Sequence, residues 1–175
     1  KVIYSNYEQV YSLALGVDLG LNYYNPDKML SLSVVARNLG GQIKTFDGLH
    51  EPLPFNLLAG ISKEFVHAPI RLSVTLTDLH KWQAEDFYNA SDDSWGKILL
   101  KHFIIGADIF PTTNTYLSVG YNFLRHSELK NNVRRSLEGI TLGAGLQVRS
   151  MKIGVSYGKY HIAASSLMMN FAIEL

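Results

Sequence analysis

Six histidines, His50, His67, His80, His102, His126 and His161, are the residues best suited to metal binding or proton transfer. No two stand at the i, i+4 spacing that sets paired imidazoles on one helix face, and no cysteine exists to complete a thiolate site. A metal centre is not expected, nor any bound cofactor. Without cysteine there is neither a disulfide nor a thiol nucleophile. No Gly-x-Ser-x-Gly elbow that would present a serine nucleophile is expected in the chain. A two-residue period puts His102, Asp108 and Ser118 on one face, as a Ser–His–Asp triad requires, but ordinary filling of an enclosed face explains them equally. Gly143-Ala144-Gly145 lies inside an alternating run instead of opening a helix, so it fails as a phosphate cradle. The chain reads as non-enzymatic, with no catalytic residue.

Binding chemistry concentrates between Leu79 and Lys101. This segment is acidic in its middle (Glu85, Asp86, Asp92, Asp93) and carries Trp82, Phe87, Tyr88 and Trp95, including both tryptophans of the chain. Aromatic rings on a long loop suit a protein interface. The same rings would serve equally as the packing of a self-contained plug, and composition does not separate the two. A net charge of +1 supplies no basic excess to neutralise phosphates, which argues against nucleic acid as the main partner.

The elements that must carry these residues announce themselves by period two. From Tyr11 to Tyr24 one set reads Leu13, Leu15, Val17, Leu19, Leu21, Tyr23 and the other Ser12, Ala14, Gly16, Asp18, Gly20, Asn22. A strand sends these to opposite sides, whereas a helix would smear both around its circumference. The pattern recurs in runs centred on Leu32–Val34, Leu57–Ala59, Leu72–Val74, Ile105–Ala107, Leu117–Val119, Leu142–Leu146, Ile153–Val155 and Leu167–Phe171, which makes nine strands. Helix is expected nowhere except in a short turn near Ser94 to Leu100. Hairpin pairing is expected to set Leu21 against Leu32, Ile61 against Leu72, Ile109 against Leu117 and Val148 against Ile153, apolar with apolar each time. Tight turns at Asn25–Lys28, Glu64–Pro69, Pro111–Thr115 and Arg149–Met151 alternate with longer connections at 40–54, 79–101, 125–138 and 159–165.

A soluble barrel would cover its second face with Lys, Glu, Arg and Thr. Here that face is mostly Gly, Ser, Ala, Asn and Thr, with sparse charge at Asp18, Arg37, Arg71, Asp108, Arg149 and Glu174. Such a face suits a confined lumen, and the apolar face then meets lipid. Tyr11, Tyr23, Tyr24, Phe110, Tyr116, Phe123, Tyr157 and Tyr160 lie near strand ends, where an interfacial aromatic girdle would sit. No apolar run is long enough for a spanning helix, which leaves strands to do the crossing. The expectation is one all-β domain over 1–175, an antiparallel up-and-down transmembrane barrel in a bacterial outer membrane with its long loops extracellular. Nine strands with a periplasmic C-terminus begin outside, so the chain is expected to be the C-terminal part of a larger barrel.

The stretch from Leu19 to Gly40, with Asn25-Pro26-Asp27-Lys28 at its centre, resembles the PorQ family of the Bacteroidetes type IX secretion system. So do Glu51-Pro52-Leu53-Pro54-Phe55, Gly60-Ile61-Ser62-Lys63-Glu64, His67-Ala68-Pro69, Arg71-Leu72-Ser73-Val74-Thr75, Gly106-Ala107-Asp108, the run from Leu117 to Asn122, and Gly143-Ala144-Gly145-Leu146. This resemblance implies a FadL-like barrel of about fourteen strands. It also implies a non-enzymatic role, anchoring a surface-exposed PorZ-like protein in the complex that attaches secreted cargo. On that reading the partners are outer-membrane lipid and the surface protein, with Trp82, Phe87, Tyr88 and Trp95 the candidate contact residues. The alternative is a FadL-type transporter of hydrophobic solutes.

Overall fold

A computed structural model describes residues 1–7, 10–45, 50–88, 90, 93–129, 138–159 and 165–173. Among these described residues, ten strands form one antiparallel sheet in which each strand pairs with its neighbours in sequence. They are β1 (Val2–Tyr7), β2 (Val10–Asn25), β3 (Leu30–Lys44), β4 (Asn56–Glu64), β5 (Ile70–Leu76), β6 (Phe103–Thr112), β7 (Thr115–Asn122), β8 (Ile140–Val148), β9 (Met151–Lys159) and β10 (Ser165–Ile173). Two short helices, α1 (Trp95–Lys101) and α2 (Phe123–Leu129), lie in the connections. The sheet is open, with β1 and β10 as its two edges.

The expected count of nine strands is corrected to ten. Val2–Tyr7 pairs with β2 from Val2 opposite Leu15 to Tyr7 opposite Val10. Six residues that include Ser5 and Asn6 carry too weak an alternation to stand out alone. The parity argument for a missing part therefore fails, since ten is even. Phe123 is also corrected, because it opens α2 instead of ending a strand.

Three of the four expected hairpin registers are displaced by two residues. Leu21 faces Val34, Ile61 faces Val74 and Val148 faces Met151, while Ile109 does face Leu117. A two-residue slip keeps every side chain on its own face, so alternation cannot detect it; the turns decide. At the β2–β3 tip the Asn25 side chain accepts from the Lys28 amide (3.0 Å) and Met29 takes a left-handed φ of 50°. That geometry pushes the closing pair out to Asn25 and Leu30. Arg149, at φ 54°, likewise closes β8–β9 in two residues.

Two rims differ as expected. Turns 26–29, 65–69, 113–114 and 149–150 lie on one, and connections 45–55, 77–102 and 123–139 on the other. The tight connection between Tyr7 and Val10 is an exception on the long-loop rim.

The two faces differ in cover. Leu32, Val34, Leu72, Ile105, Leu117, Val119, Leu142 and Leu146 are all exposed, and Leu21 is 81% exposed. Their small or polar neighbours along the same strands are the more covered. Side chains crowd together on that covered face: a Cβ added to Gly106 would meet the Ser73 hydroxyl at 2.7 Å, and one on Gly120 the Thr141 hydroxyl at 2.6 Å. Curvature is therefore directed toward the small-residue face. Three of the expected girdle aromatics turn that way too. Tyr116 lies across Gly145 and reaches Gly154, Phe110 sits under the Arg71 guanidinium (5.0 Å), and Tyr24 shares the face of Gly20 and Asn22. Tyr11, Tyr23 and Tyr157 stay on the apolar face near strand ends, and Tyr160 lies outside the described residues.

Candidate functional site on the long-loop rim

The 77–102 connection begins from a polar anchor. The Asp78 amide donates to the Asn56 side-chain oxygen (2.9 Å), the Asn56 amide donates to the Thr77 hydroxyl (3.2 Å), and the Thr77 amide donates to the His102 carbonyl (2.8 Å). These bonds tie both ends of the loop to the sheet, so what lies between must build its own core. It does so with Phe87, Ala90 and Ile98, against which Ala84 and Leu124 of α2 pack. A 3-10 turn at Ala84–Asp86 is held by the Asp86 carboxylate, which accepts from the Gln83 amide (3.0 Å). The helix α1 then packs on α2.

Charge follows the same economy of partners. Lys101 is buried, and its ammonium meets Asp93 at 2.7 Å, while Lys97 meets the other oxygen of the same carboxylate at 3.3 Å. The Lys101 hydrogen bond, followed by that from Lys97, outweighs desolvation and holds the Asp93 carboxyl below its ordinary value of 3.8.

The four candidate contact residues divide. Phe87 is 6% exposed and belongs to the loop core. Trp82 stacks on His102 with ring centroids 4.4 Å apart, and its indole N–H donates to the Leu79 carbonyl (2.8 Å). Tyr88 and Trp95 are 71% and 68% exposed and are free to meet another surface. Tyr88 also borders a cleft between α1 and α2, lined by Lys97, Leu100, Phe123, His126 and Ser127. Asp92 lies outside the described residues. Sequence reasoning missed the contribution of α2, because Phe123 read as the end of an alternating strand.

The possible triad does not assemble. His102 is not on a strand but in the turn after α1, and its ring is committed to the loop interior. Asp108 faces Ser118 across β6–β7, yet its carboxylate is directed at Arg71 (3.8 Å), which also pairs with Glu64 (2.9 Å). The expectation of no serine elbow needs correction in its letters: Gly154-Val155-Ser156-Tyr157-Gly158 has the Gly-x-Ser-x-Gly form. These residues run straight through β9, with Ser156 opposite Gly143 and Met168, and no strand-to-helix turn presents the hydroxyl.

The remaining histidines are dispersed. His80 sits edge-on to Phe55 (5.0 Å), His126 contacts the Glu138 carbonyl (3.2 Å), His50 and His67 are exposed, and His161 lies outside the described residues. Compared with known proteins, the chain matches no family model and no curated sequence.

Proposed function

We propose that this chain forms part of the wall of an outer-membrane β-barrel, and that the barrel acts without catalysis as a docking base for a surface-exposed protein. One observation carries the membrane half of this reading. The convex face of the sheet is apolar and exposed, while the concave face is small and polar. In water such a face would be unfavourable by roughly 25 cal/mol per Å² and would far exceed the patches of a few hundred Å² that soluble monomers tolerate. In lipid it costs nothing, and every strand interior has its backbone paired except at the two edges. Those edges are satisfied if further strands close the sheet into a larger, FadL-like barrel of about fourteen strands.

The docking half rests on the long-loop rim, extracellular in this reading, where Tyr88 and Trp95 stand exposed on a loop with its own core. A rigid scaffold that presents aromatic rings is the arrangement binding hot spots favour. The resemblance to the PorQ family supplies the context: the type IX secretion system and a PorZ-like partner. A transporter of hydrophobic solutes is the competing reading. The Glu64–Arg71–Asp108 ion pairs set charge on the concave face, which weighs against it.

The test is affinity capture of the tagged full protein from detergent-solubilised outer membranes, read by mass spectrometry. Docking predicts a soluble surface protein in near-equal amount, lost in the Tyr88→Ser/Trp95→Ser double variant. Recovery of the barrel alone with bound fatty acid would overturn docking in favour of transport.

A further inference from the structure

The His102 ring is 0% exposed, and each of its nitrogens meets a backbone carbonyl: Nδ1 the Ile98 oxygen at 2.9 Å, Nε2 the Lys81 oxygen at 2.7 Å. A carbonyl oxygen only accepts. A neutral imidazole has one N–H and one lone pair, so it would set that lone pair against an oxygen at hydrogen-bond distance. The imidazolium donates from both nitrogens and satisfies both contacts. Turning the ring over does not help, because it would place carbon atoms against both oxygens. The surroundings suit a cation: Trp82 stacks face to face on the ring at 4.4 Å, and Phe87 approaches it in a T-shaped arrangement at 5.6 Å. The Ile98 carbonyl lies in the last turn of α1, where helix carbonyls lack intrahelical partners.

We infer that protonated His102 is the latch of the 77–102 loop, joining α1 to the 81–87 segment, and that loss of its second proton releases them. The two bridged carbonyls lie 17 residues apart in sequence and on different elements, so the bridge ties the loop across its own core. The charged groups around the ring are otherwise occupied or directed elsewhere. On the incoming segment Lys81 pairs with Asp78 (3.6 Å), and Asp86 bonds the Gln83 amide. On α1 Lys97 and Lys101 share Asp93, and the Lys101 ammonium lies over Phe87 (5.4 Å), on the ring that also borders His102. His80, Glu85 and Tyr88 on the same connection, with Arg125, His126 and Glu128 on α2, complete the described titratable and charged groups on the elements packed here. Among the described residues, the ring has no side-chain hydrogen-bond partner. The switch is therefore one of donor count: two carbonyls bridged below the transition, one above it.

The two tryptophans of the chain make the test direct, because Trp82 stacks on the ring and Trp95 does not share that contact. In the 175-residue chain carrying Trp95→Phe, emission of Trp82 is followed from pH 5.5 to 10 together with amide exchange of the 79–88 and 98–102 segments. A single transition is expected, with emission rising as the cationic quencher is lost and exchange, corrected for its intrinsic pH dependence, accelerating about tenfold. His102→Phe keeps the stack but carries no charge, and the transition should vanish. If that variant fails to fold, ¹⁵N-histidine resonances of the unaltered protein at pH 6 decide instead: the solvent-shielded ring should show two protonated nitrogens. A wild-type protein without a transition, a transition retained in His102→Phe, or a buried neutral ring at pH 6 would each overturn the latch.

Discussion

Tyr116 and the glycines beneath it show how single residues set the curvature of the sheet. The ring lies flat over Gly145 and reaches Gly154, so a side chain at either position occupies the space of the ring. Gly145→Val should force Tyr116 off its site and cost about 1–3 kcal/mol, the usual price of overpacking. Loss of heat-resistant mobility on gels after refolding into vesicles would register it, and Tyr116→Ala in the same chain should restore part of the loss. The Glu64–Arg71–Asp108 group should behave differently. All three side chains are partly exposed, so Arg71→Met is expected to lower stability by less than about 1 kcal/mol, with the effect shrinking further in high salt. Urea midpoints at two salt concentrations would check this.

Among the elements, the 77–102 loop behaves as a small folded unit attached to the rim. Its acid limit follows from Asp93. The folded state holds this carboxyl below its ordinary value of 3.8, so the charged form favours the folded loop above that value. The contribution is lost as pH falls below about 4 and the carboxylate is protonated, which frees Lys101 from its buried partner. Amide exchange of the 95–101 segment should therefore accelerate on acidification, and Asp93→Asn should give the fast rate already at neutral pH. For the strands, Val119→Arg separates lipid from water as the medium of the convex face. In lipid a mid-strand arginine should cost about 2–4 kcal/mol of folding free energy in vesicles. On a water-facing surface the same change would fall within about 0.5 kcal/mol, so a silent substitution would sink the membrane reading.

At the scale of the molecule, closure of the sheet constrains function most. Ten strands would satisfy the even-number rule by themselves, yet among the described residues β1 pairs only with β2 and β10 only with β9. If further strands complete the wall, Tyr4→Cys and Met169→Cys should not cross-link in vesicles, and the absence of cysteine from these 175 residues leaves no competing thiol in this part of the wall. A disulfide between them would instead mark a self-closed ten-strand barrel, and the larger FadL-like architecture would have to be given up.

Alternation along the strands was enough, by itself, to make this protein all-β and to divide its residues between an apolar and a small polar face. A period of two leaves no other regular structure for Leu13 through Tyr23. Turn residues also showed which connections are short. Registers needed the structure, because shifting Leu21 from Leu32 to Val34 changes no face and no hydrophobic count, and only the Asn25–Leu30 turn geometry selects between them. The loop aromatics needed it too: Trp82, Phe87, Tyr88 and Trp95 are alike in composition, and their division into buried and exposed depends on packing with Ile98 and with Leu124 from another element. His102 illustrates the same limit most plainly. Its two partners are carbonyl groups, which every residue possesses, so no side-chain pattern could have pointed to them.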